Sequence, residues 1–519
     1  MPHIRQAAAA LFCTAVLFSG CMRQNMSQQD LELQMMEQST ASVVSSAPMQ
    51  EPSVLRLPVL DEGNRNPFSS AGITPSITPL LYQSLYLLDE NYHPKPQLAQ
   101  AISYGEGNTV CTVTLRSGIL FSDGSAVTPK DAAASLREAL KYPSAFPELA
   151  AAVAGCTATE DALIITLTQA DRCFTSLLTF PICKAGTQSD ELPTGSGPFV
   201  CGTSKATRLR RNEYYEDPAF AIESVELIPV SERESLEYML KIGVIDFYSS
   251  PDASMDSHSY GSSEYPTLNR LTFIGINRQN NALLASDELL HAVFSVINKE
   301  QLVSYACGNT AQAADIPFHP GYWEQENITQ PEQDGTAAAQ DPELEEILQQ
   351  YGYTEKDEEG YWIRQYRSMP YRLSLDILIN SENTSRQRMA ELMQEQLAEV
   401  GIELNIVSKA YSDYLQAVAY RQYDFYIGEV SIGDNMDLSH LFTEETAAYL
   451  GFPYDPELLD AAIRLKNGQA GYAEFLEIFQ SKGIMEPLCY KRGSISYSRN
   501  LTADFIERYR DLLFQIQWY

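Results

Sequence analysis

Basic residues are scarce in this chain: 36 lysines and arginines stand against 68 aspartates and glutamates in 519 residues, a net charge of −32. Gripping phosphates takes a basic surface, so nucleic acid is excluded as a partner. The acidity reads either as a solvated, self-repelling surface or as a preference for cationic ligands. Histidines are also few, and His93, His258, His291, His319 and His440 form no cluster in the sequence. No HExxH helix, GxSxG elbow, CxxC pair or zinc spacing occurs, which removes the common signatures of metallo- and serine hydrolases. No catalysis, cofactor or metal is expected.

Long apolar runs are missing as well. The longest leading run, from Ala7 to Phe18, falls short of the roughly 20 residues that cross a bilayer. With Arg5 before it and Ser19-Gly20-Cys21 after it, residues 1–20 read as an export signal. The run LFSGC looks like a bacterial lipobox, which would make Cys21 the lipidated first residue of the mature chain. Residues 21–52, rich in Gln, Ser and Met, read as a flexible tether that holds the body off the membrane. Export permits disulfides, yet setting Cys13 and Cys21 aside leaves Cys111, Cys156, Cys173, Cys183, Cys201, Cys307 and Cys489, an odd number whose pairing the sequence does not give.

What is present is a soluble globular composition, 44% hydrophobic and 20% charged, in a chain long enough for two or three domains. Residues 112–140 pack a strand, a turn and a capped helix into one unit. Val113 and Leu115 alternate with Thr112, Thr114 and Arg116 as a half-buried strand does. Ser122-Asp123-Gly124 makes a turn. Thr128 caps a helix that has Pro129 at its first position and Asp131 near the positive end of its dipole.

Further strands are expected at 54–57, 162–167, around 180–182, and at 225–230, 243–247, 271–277, 402–406 and 423–429. A helix is expected through Leu80, Leu81, Leu85 and Leu88. Ser286 caps a helix through Leu289 and Val293, and Asn298 with Gln301 starts the next in the manner of a capping box. Met389, Leu392, Met393, Leu397 and Val400 recur at helical spacing until Gly401 stops the helix. Residues 325–339 read as a polar surface loop. The run Gly195-Ser196-Gly197-Pro198-Phe199 is no phosphate loop, because no Lys-Ser or Lys-Thr follows it.

Several of these stretches together resemble one family. They are the pattern LRxGxxFxDGxxxTxxD over 115–131, Leu85-Tyr86-Leu87-Leu88-Asp89, Pro96-Gln97-Leu98-Ala99, the Gly195–Phe199 run, Arg211-Asn212-Glu213-Tyr214-Tyr215, and Leu271 through Asn277. The family is the extracellular solute-binding proteins, family 5, the oligopeptide- and dipeptide-binding subunits of ABC importers. The resemblance implies an α/β, two-lobed protein of the periplasmic-binding type (class II, large form) with an extra inserted domain. Lobe I would comprise 53–88, 190–268 and 490–519, the inserted domain 89–189, and lobe II 269–489. It also implies a monomer that closes on a short peptide by hinge motion and delivers it to a membrane permease with a cytoplasmic ATPase. Nickel chelates, opines and sugars are alternative ligands. A sensing receptor is an alternative role, and an exported hydrolase the least favoured.

By the same resemblance, Asp434 in Asp434-Asn435-Met436-Asp437-Leu438 is the candidate to pair with a ligand's ammonium or other cationic group. Ser431 stands where the family has Trp, and Leu438 where it has Pro, so the aromatic wall of the pocket is missing. Glu429, Asp437 and Tyr411 are further candidates. Asn66, Pro67 and Phe68 on the opposite lobe would offer backbone to an extended peptide.

Overall fold

The first expected strand forms at Val54–Val59 in a computed structural model of the protein. The structure describes residues 53–59, 65–68, 77–216, 222–251, 262–324, 327–328, 342–499 and 501, all within one compact unit, 51–519. The export signal, Cys21, the tether, Asn64, His258, most of the 325–339 loop and residues 502–519 lie outside the described residues. Among the described residues no helix is long and apolar enough to cross a membrane.

Val54–Val59 pairs in parallel with Ser224–Pro229 in a four-stranded sheet completed by Arg208–Arg211 and Phe199–Cys201. A second four-stranded sheet is wholly antiparallel, in the order Ala99–Tyr104, Val110–Leu115, Ala162–Leu167, Val153–Ala158. One apolar core, running from Leu55 and Leu57 through Val113, Leu136, Leu163 and Phe199, joins these two sheets. The 112–140 unit is built as its residues dictate. Asp123 Oδ1 accepts from Ser125 N at 3.0 Å, Gly124 takes φ +82°, and Thr128 and Asp131 cap each other reciprocally ahead of the Pro129–Ala139 helix.

The chain passes from these sheets into a six-stranded mixed sheet twice. Ser262–Glu264 and Ser494–Tyr497 belong to a small sheet with Phe247–Ser250, and they continue into Thr267–Ile276 and follow Met485–Arg492 respectively. The two crossings touch where Gly493 N donates to Pro266 O at 2.9 Å. The large sheet runs in the order Ala311–Ala313, Met485–Arg492, Thr267–Ile276, Phe425–Ser431, Ser374–Asn380, Glu403–Lys409. One core, with Leu289, Leu302, Met389, Met393 and Leu397, covers one side of it; another, with Tyr426, Phe452, Phe475 and Phe479, covers the other. The second core also takes in Leu88, Tyr92 and Cys173. Ser286, Asn298 and Asn383 each accept a backbone N–H as helix caps, and Gly401 ends the Thr384–Val400 helix at φ +89°.

Three expectations change. The helix expected through Leu88 ends at Leu81, because Tyr82 turns extended and Leu85 and Leu88 are buried from a non-helical segment, Leu88 in the short strand Tyr86–Leu88. Helical spacing of leucines does not distinguish the two when a segment is buried on both sides. The strand expected at 243–247 starts only at Phe247. Gly243 at φ +72° follows the Leu236–Lys241 helix, and Asp246 turns to Arg56, accepting from its Nη2 at 2.7 Å and Nε at 2.9 Å. Around 180–182 only a single bridge forms, between Pro181 and Ser84.

Candidate functional site

Ser374–Asn380 runs parallel to both Glu403–Lys409 and Phe425–Ser431, so all three strands end at the same edge of the large sheet. From that edge the chain enters the helices Thr384–Val400 and Tyr411–Ala419 and the loop 432–438. Ligands of open α/β sheets bind outside the carboxyl ends of such strands. The edge therefore brings together Tyr411, Glu429, Ser431, Asp434 and Asp437, residues up to 26 positions apart, as well as Arg386 in the first turn of its helix.

Glu429 sits inside a ring of cations. Its Oε1 takes Arg270 Nη2 at 2.7 Å and Nε at 3.1 Å, while Oε2 takes Lys491 Nζ at 2.7 Å and Arg386 Nη2 at 3.5 Å. Burial alone would raise the Glu429 pKa, but Lys491 and Arg270 overcome it and hold the carboxyl below its ordinary range. The outcome is a concentration of positive charge at one end of the edge, in a chain that is otherwise strongly acidic. Arg270, Arg386 and Lys491 were invisible as a group in the sequence; the one local signal is Arg386 in the turn that follows a parallel strand.

Asp434 lies in the opposite electrostatic setting. Its pKa is pushed up to about 7, first by burial of the carboxyl and then by Glu148, which approaches from the Pro147–Ala152 helix beside the antiparallel sheet. A Cβ on Gly433 would stand 2.8 Å from Glu148 Cγ, so glycine is what allows this approach. Asn269 faces Asp434 and tempers the shift. That side chain is 8% exposed, and neither its oxygen nor its nitrogen completes a hydrogen bond among the described residues. Its backbone N–H donates to Tyr92 Oη at 3.0 Å. Buried carboxamides ordinarily find partners, and this one is aimed at the candidate site. Glu148 and Asn269 were not candidates from the sequence, since nothing local connects positions 148, 269 and 434.

Asn435 and Asp437 face away from this point into a clasp. Asn435 Nδ2 donates to Asp171 Oδ2 at 2.7 Å, and Cys173 N donates to Asp171 Oδ1 at 2.8 Å. The Asp171 pKa rises to about 6, chiefly through burial, against the pull of Lys466 and Asn435. Asp437 Oδ2 pairs with Lys466 Nζ at 2.6 Å, and Oδ1 accepts from Ser439 Oγ at 2.6 Å. Burial would raise Asp437, but Lys466 and Ser439 prevail and hold it low. Next to them, Arg172 pairs with Glu324 and lies 4.7 Å over the ring of Tyr472, which donates to Glu324 at 2.5 Å.

Tyr411 is half exposed, stacked on Tyr414 with ring centroids 6.5 Å apart, and donates its backbone N–H to Glu382 Oε1 at 3.2 Å. Ser431 is exposed at the strand end, in register with Arg270. Asn66, Pro67 and Phe68 are buried. Asn66 Nδ2 donates to Gln188 O at 2.7 Å and Asp190 O at 2.8 Å, and Phe68 lies within the core. A ligand contact from this loop would fall to its backbone. Among the described residues no group of three or more His, Cys, Asp or Glu side chains is placed to hold a metal ion. His319, buried and bonded through Nε2 to Thr267 O at 3.1 Å, is held down to about 4 by that burial.

A two-lobed α/β fold whose chain crosses twice between its sheets is that of the solute-binding proteins. Residues 93–447 match the model of the bacterial extracellular solute-binding proteins, family 5. The chain belongs to that family. It is 21% identical over 382 residues to the oligopeptide-binding protein AppA of Bacillus subtilis, covering 69% of each chain. It is 22% identical over 477 residues to the glutathione-binding protein GsiB of Salmonella typhi, covering 84% of this chain and 88% of that one. Its fold is similar to that of the unliganded open form of the periplasmic murein tripeptide-binding protein MppA, with TM-score 0.71 and 15% identity over 89% of this chain and 96% of the other.

Proposed function

We propose that the protein is the substrate-binding lipoprotein of an ABC importer, capturing a short peptide between its lobes and delivering it to a membrane permease driven by a cytoplasmic ATPase. It acts as a monomer without catalysis, held through an acylated Cys21 to the outer face of the cytoplasmic membrane. The observation that carries the peptide reading is the polarity of the strand edge. Asp434, with Glu148 opposite, suits an ammonium group, and the Arg270, Arg386 and Lys491 ring suits a carboxylate. Glu429 and Asp434 are five positions apart in the chain, at most about 17 Å of extended chain, which is the reach of a di- to pentapeptide. Both ends are useful only once closure excludes water, since a solvated ion pair contributes little. Relatives named for oligopeptides and glutathione support the same ligand class.

Mass spectrometry of ligand that co-purifies with the soluble body, followed by calorimetry with di- to pentapeptides, tests the reading. Micromolar or tighter binding of a zwitterionic peptide is the expected result. Binding of another solute with no peptide bound at micromolar levels contradicts it, as does hydrolytic turnover of peptide by the purified protein.

A further inference from the structure

Asn269 lies near the start of the Thr267–Ile276 strand, and its backbone is fixed on both sides. Its N–H donates to Tyr92 Oη at 3.0 Å, and its carbonyl accepts from Ile432 N at 2.9 Å. Ile432 stands two residues before Asp434, and Arg270, the next residue after Asn269, is in register with Ser431. Asn269 is therefore held against the start of the loop that carries Asp434. Gly433, between Ile432 and Asp434, is the position against which Glu148 packs.

The side chain has no such anchor. It is 8% exposed, and among the described residues neither Oδ1 nor Nδ2 completes a hydrogen bond. The other buried asparagines among the described residues all use their carboxamides. Asn66 Nδ2 donates to Gln188 O, Asn212 Nδ2 to Gly197 O, Asn277 Nδ2 to Arg421 O and Asn435 Nδ2 to Asp171, while Asn380 Oδ1 accepts from Glu382 N. Each of those side chains holds a loop or turn in place. Asn269 holds nothing with its own, although a carboxamide left unpaired away from water is costly.

An ammonium seated at Asp434 brings the rest of its molecule past Asn269. In a peptide the first peptide group follows the amino-terminal Cα, and a carboxamide complements it: Nδ2 donates to the peptide carbonyl and Oδ1 accepts from the peptide N–H. A simple amine offers neither group. A carboxylate such as Asp434 accepts any cation and does not make this distinction by itself.

We propose that Asn269 selects peptides over other amines, its carboxamide hydrogen-bonding the first peptide group of a ligand whose ammonium sits at Asp434. This rests on the peptide reading above and adds to it the residue that sets ligand class. Sites whose buried polar groups go unpaired with the wrong ligand discriminate strongly.

Asn269→Leu keeps the branched shape of the side chain and removes its polar atoms. Calorimetry on the full mature chain uses the tightest binder among the di- to pentapeptides. It also uses an analogue with an E-alkene in place of the first peptide group, which keeps the ammonium and the chain geometry. The wild type should bind the analogue at least about tenfold more weakly than the peptide, and Asn269→Leu should bind the two alike. Without ligand the variant should melt no lower than the wild type, because no protein group depends on the carboxamide. Asn269→Ala carries the same expectation for selectivity if the leucine variant fails to fold. A peptide preference retained in the variant overturns the proposal, as does a wild type that binds peptide and analogue equally; the peptide reading survives both results. A wild type that binds amines but no peptide overturns that reading and this proposal together.

Discussion

The carboxamide of Asn435 donates at 2.7 Å to the buried carboxyl of Asp171, and the residue immediately before it, Asp434, faces Glu148. Adjacent positions thus face two ways, one closing the contact between the 171–173 loop and the 432–438 loop, the other setting a carboxyl against Glu148. Replacing Asn435 with Ala leaves the Asp171 carboxyl buried with one donor fewer, at a cost of about 1–3 kcal/mol. Thermal denaturation should show that loss, and adding Asp171→Asn to the variant should recover part of it by removing the buried charge. A double variant no more stable than N435A would contradict this view of the clasp.

Stability should rise as the pH falls from about 8 towards 5. Asp434 and Asp171 have pKa values pushed up to about 7 and about 6 in the fold, against an ordinary 3.8, so the folded state binds their protons more tightly than the unfolded chain does. Their contribution is fully present below about 4 and is lost as the pH rises through 6 and 7. His319 works the other way, since its pKa of about 4 in the fold against 6.5 means stability is lost as the pH falls between those values. Two raised acids outweigh one depressed imidazole. Glu429 and Asp437, held low, withdraw their support only in more acid solution. Differential scanning calorimetry across pH 8 to 3 should therefore give a maximum between about 4 and 5; a midpoint that falls steadily from pH 8 would contradict the assignment.

The same reasoning makes Asp434 costly to the empty protein. Asp434→Asn should stabilise the ligand-free form at pH 8 by about 1–2 kcal/mol, a fraction of what a shift of this size implies once water relaxation is allowed for. The gain should vanish near pH 5, where the wild-type carboxyl is itself protonated. A gain independent of pH would point to packing rather than charge.

Much of the framework was legible because its signals are local. Thr128 with Asp131, Ser286, Asn298 and Gly401 fix helix ends through atoms three or four residues away, and each forms as expected except that only half of the Asn298 capping box is made, its own N–H going to Gln396 Oε1 instead of Gln301. Leu85 and Leu88 misled because burial on both sides removes the difference between helical and extended spacing. The site was legible only in part. Asp434 stands out through the motif around it, whereas Glu148, Asn269, Arg386 and Lys491 meet through tertiary placement that no window of sequence contains. Gly195 and Gly197, which the sequence marks only as no phosphate loop, are packing glycines: a Cβ on either would fall within 2.1 to 3.0 Å of the Leu80–Tyr82 segment, mostly its backbone.

Gly197→Ala follows directly. Its Cβ would lie 2.5 Å from Leu81 C and 2.7 Å from Leu80 O and Tyr82 N, atoms that cannot swing aside. A loss of about 2–3 kcal/mol is expected, measured by urea denaturation. A stability within about 0.5 kcal/mol of wild type would mean the segment at Leu81 moves freely.

Glu429→Gln should leave Arg270, Arg386 and Lys491 facing one another without their central charge. The variant should be less stable by about 1–3 kcal/mol at low ionic strength and recover partly in 1 M salt, where the screening length is about 3 Å. Equal loss at both salt concentrations would show that the carboxylate matters for shape rather than charge.

The central claim, that the strand edge grips a peptide by its amino terminus at Asp434, is tested most directly by one calorimetric comparison. A short peptide that binds the wild type is titrated into wild type and Asp434→Ala, once with a free amine and once N-acetylated. The account predicts that the substitution weakens the free-amine peptide at least tenfold, about 1.4 kcal/mol, and leaves the acetylated form nearly unchanged. Equal weakening of both forms, or of neither, would contradict it.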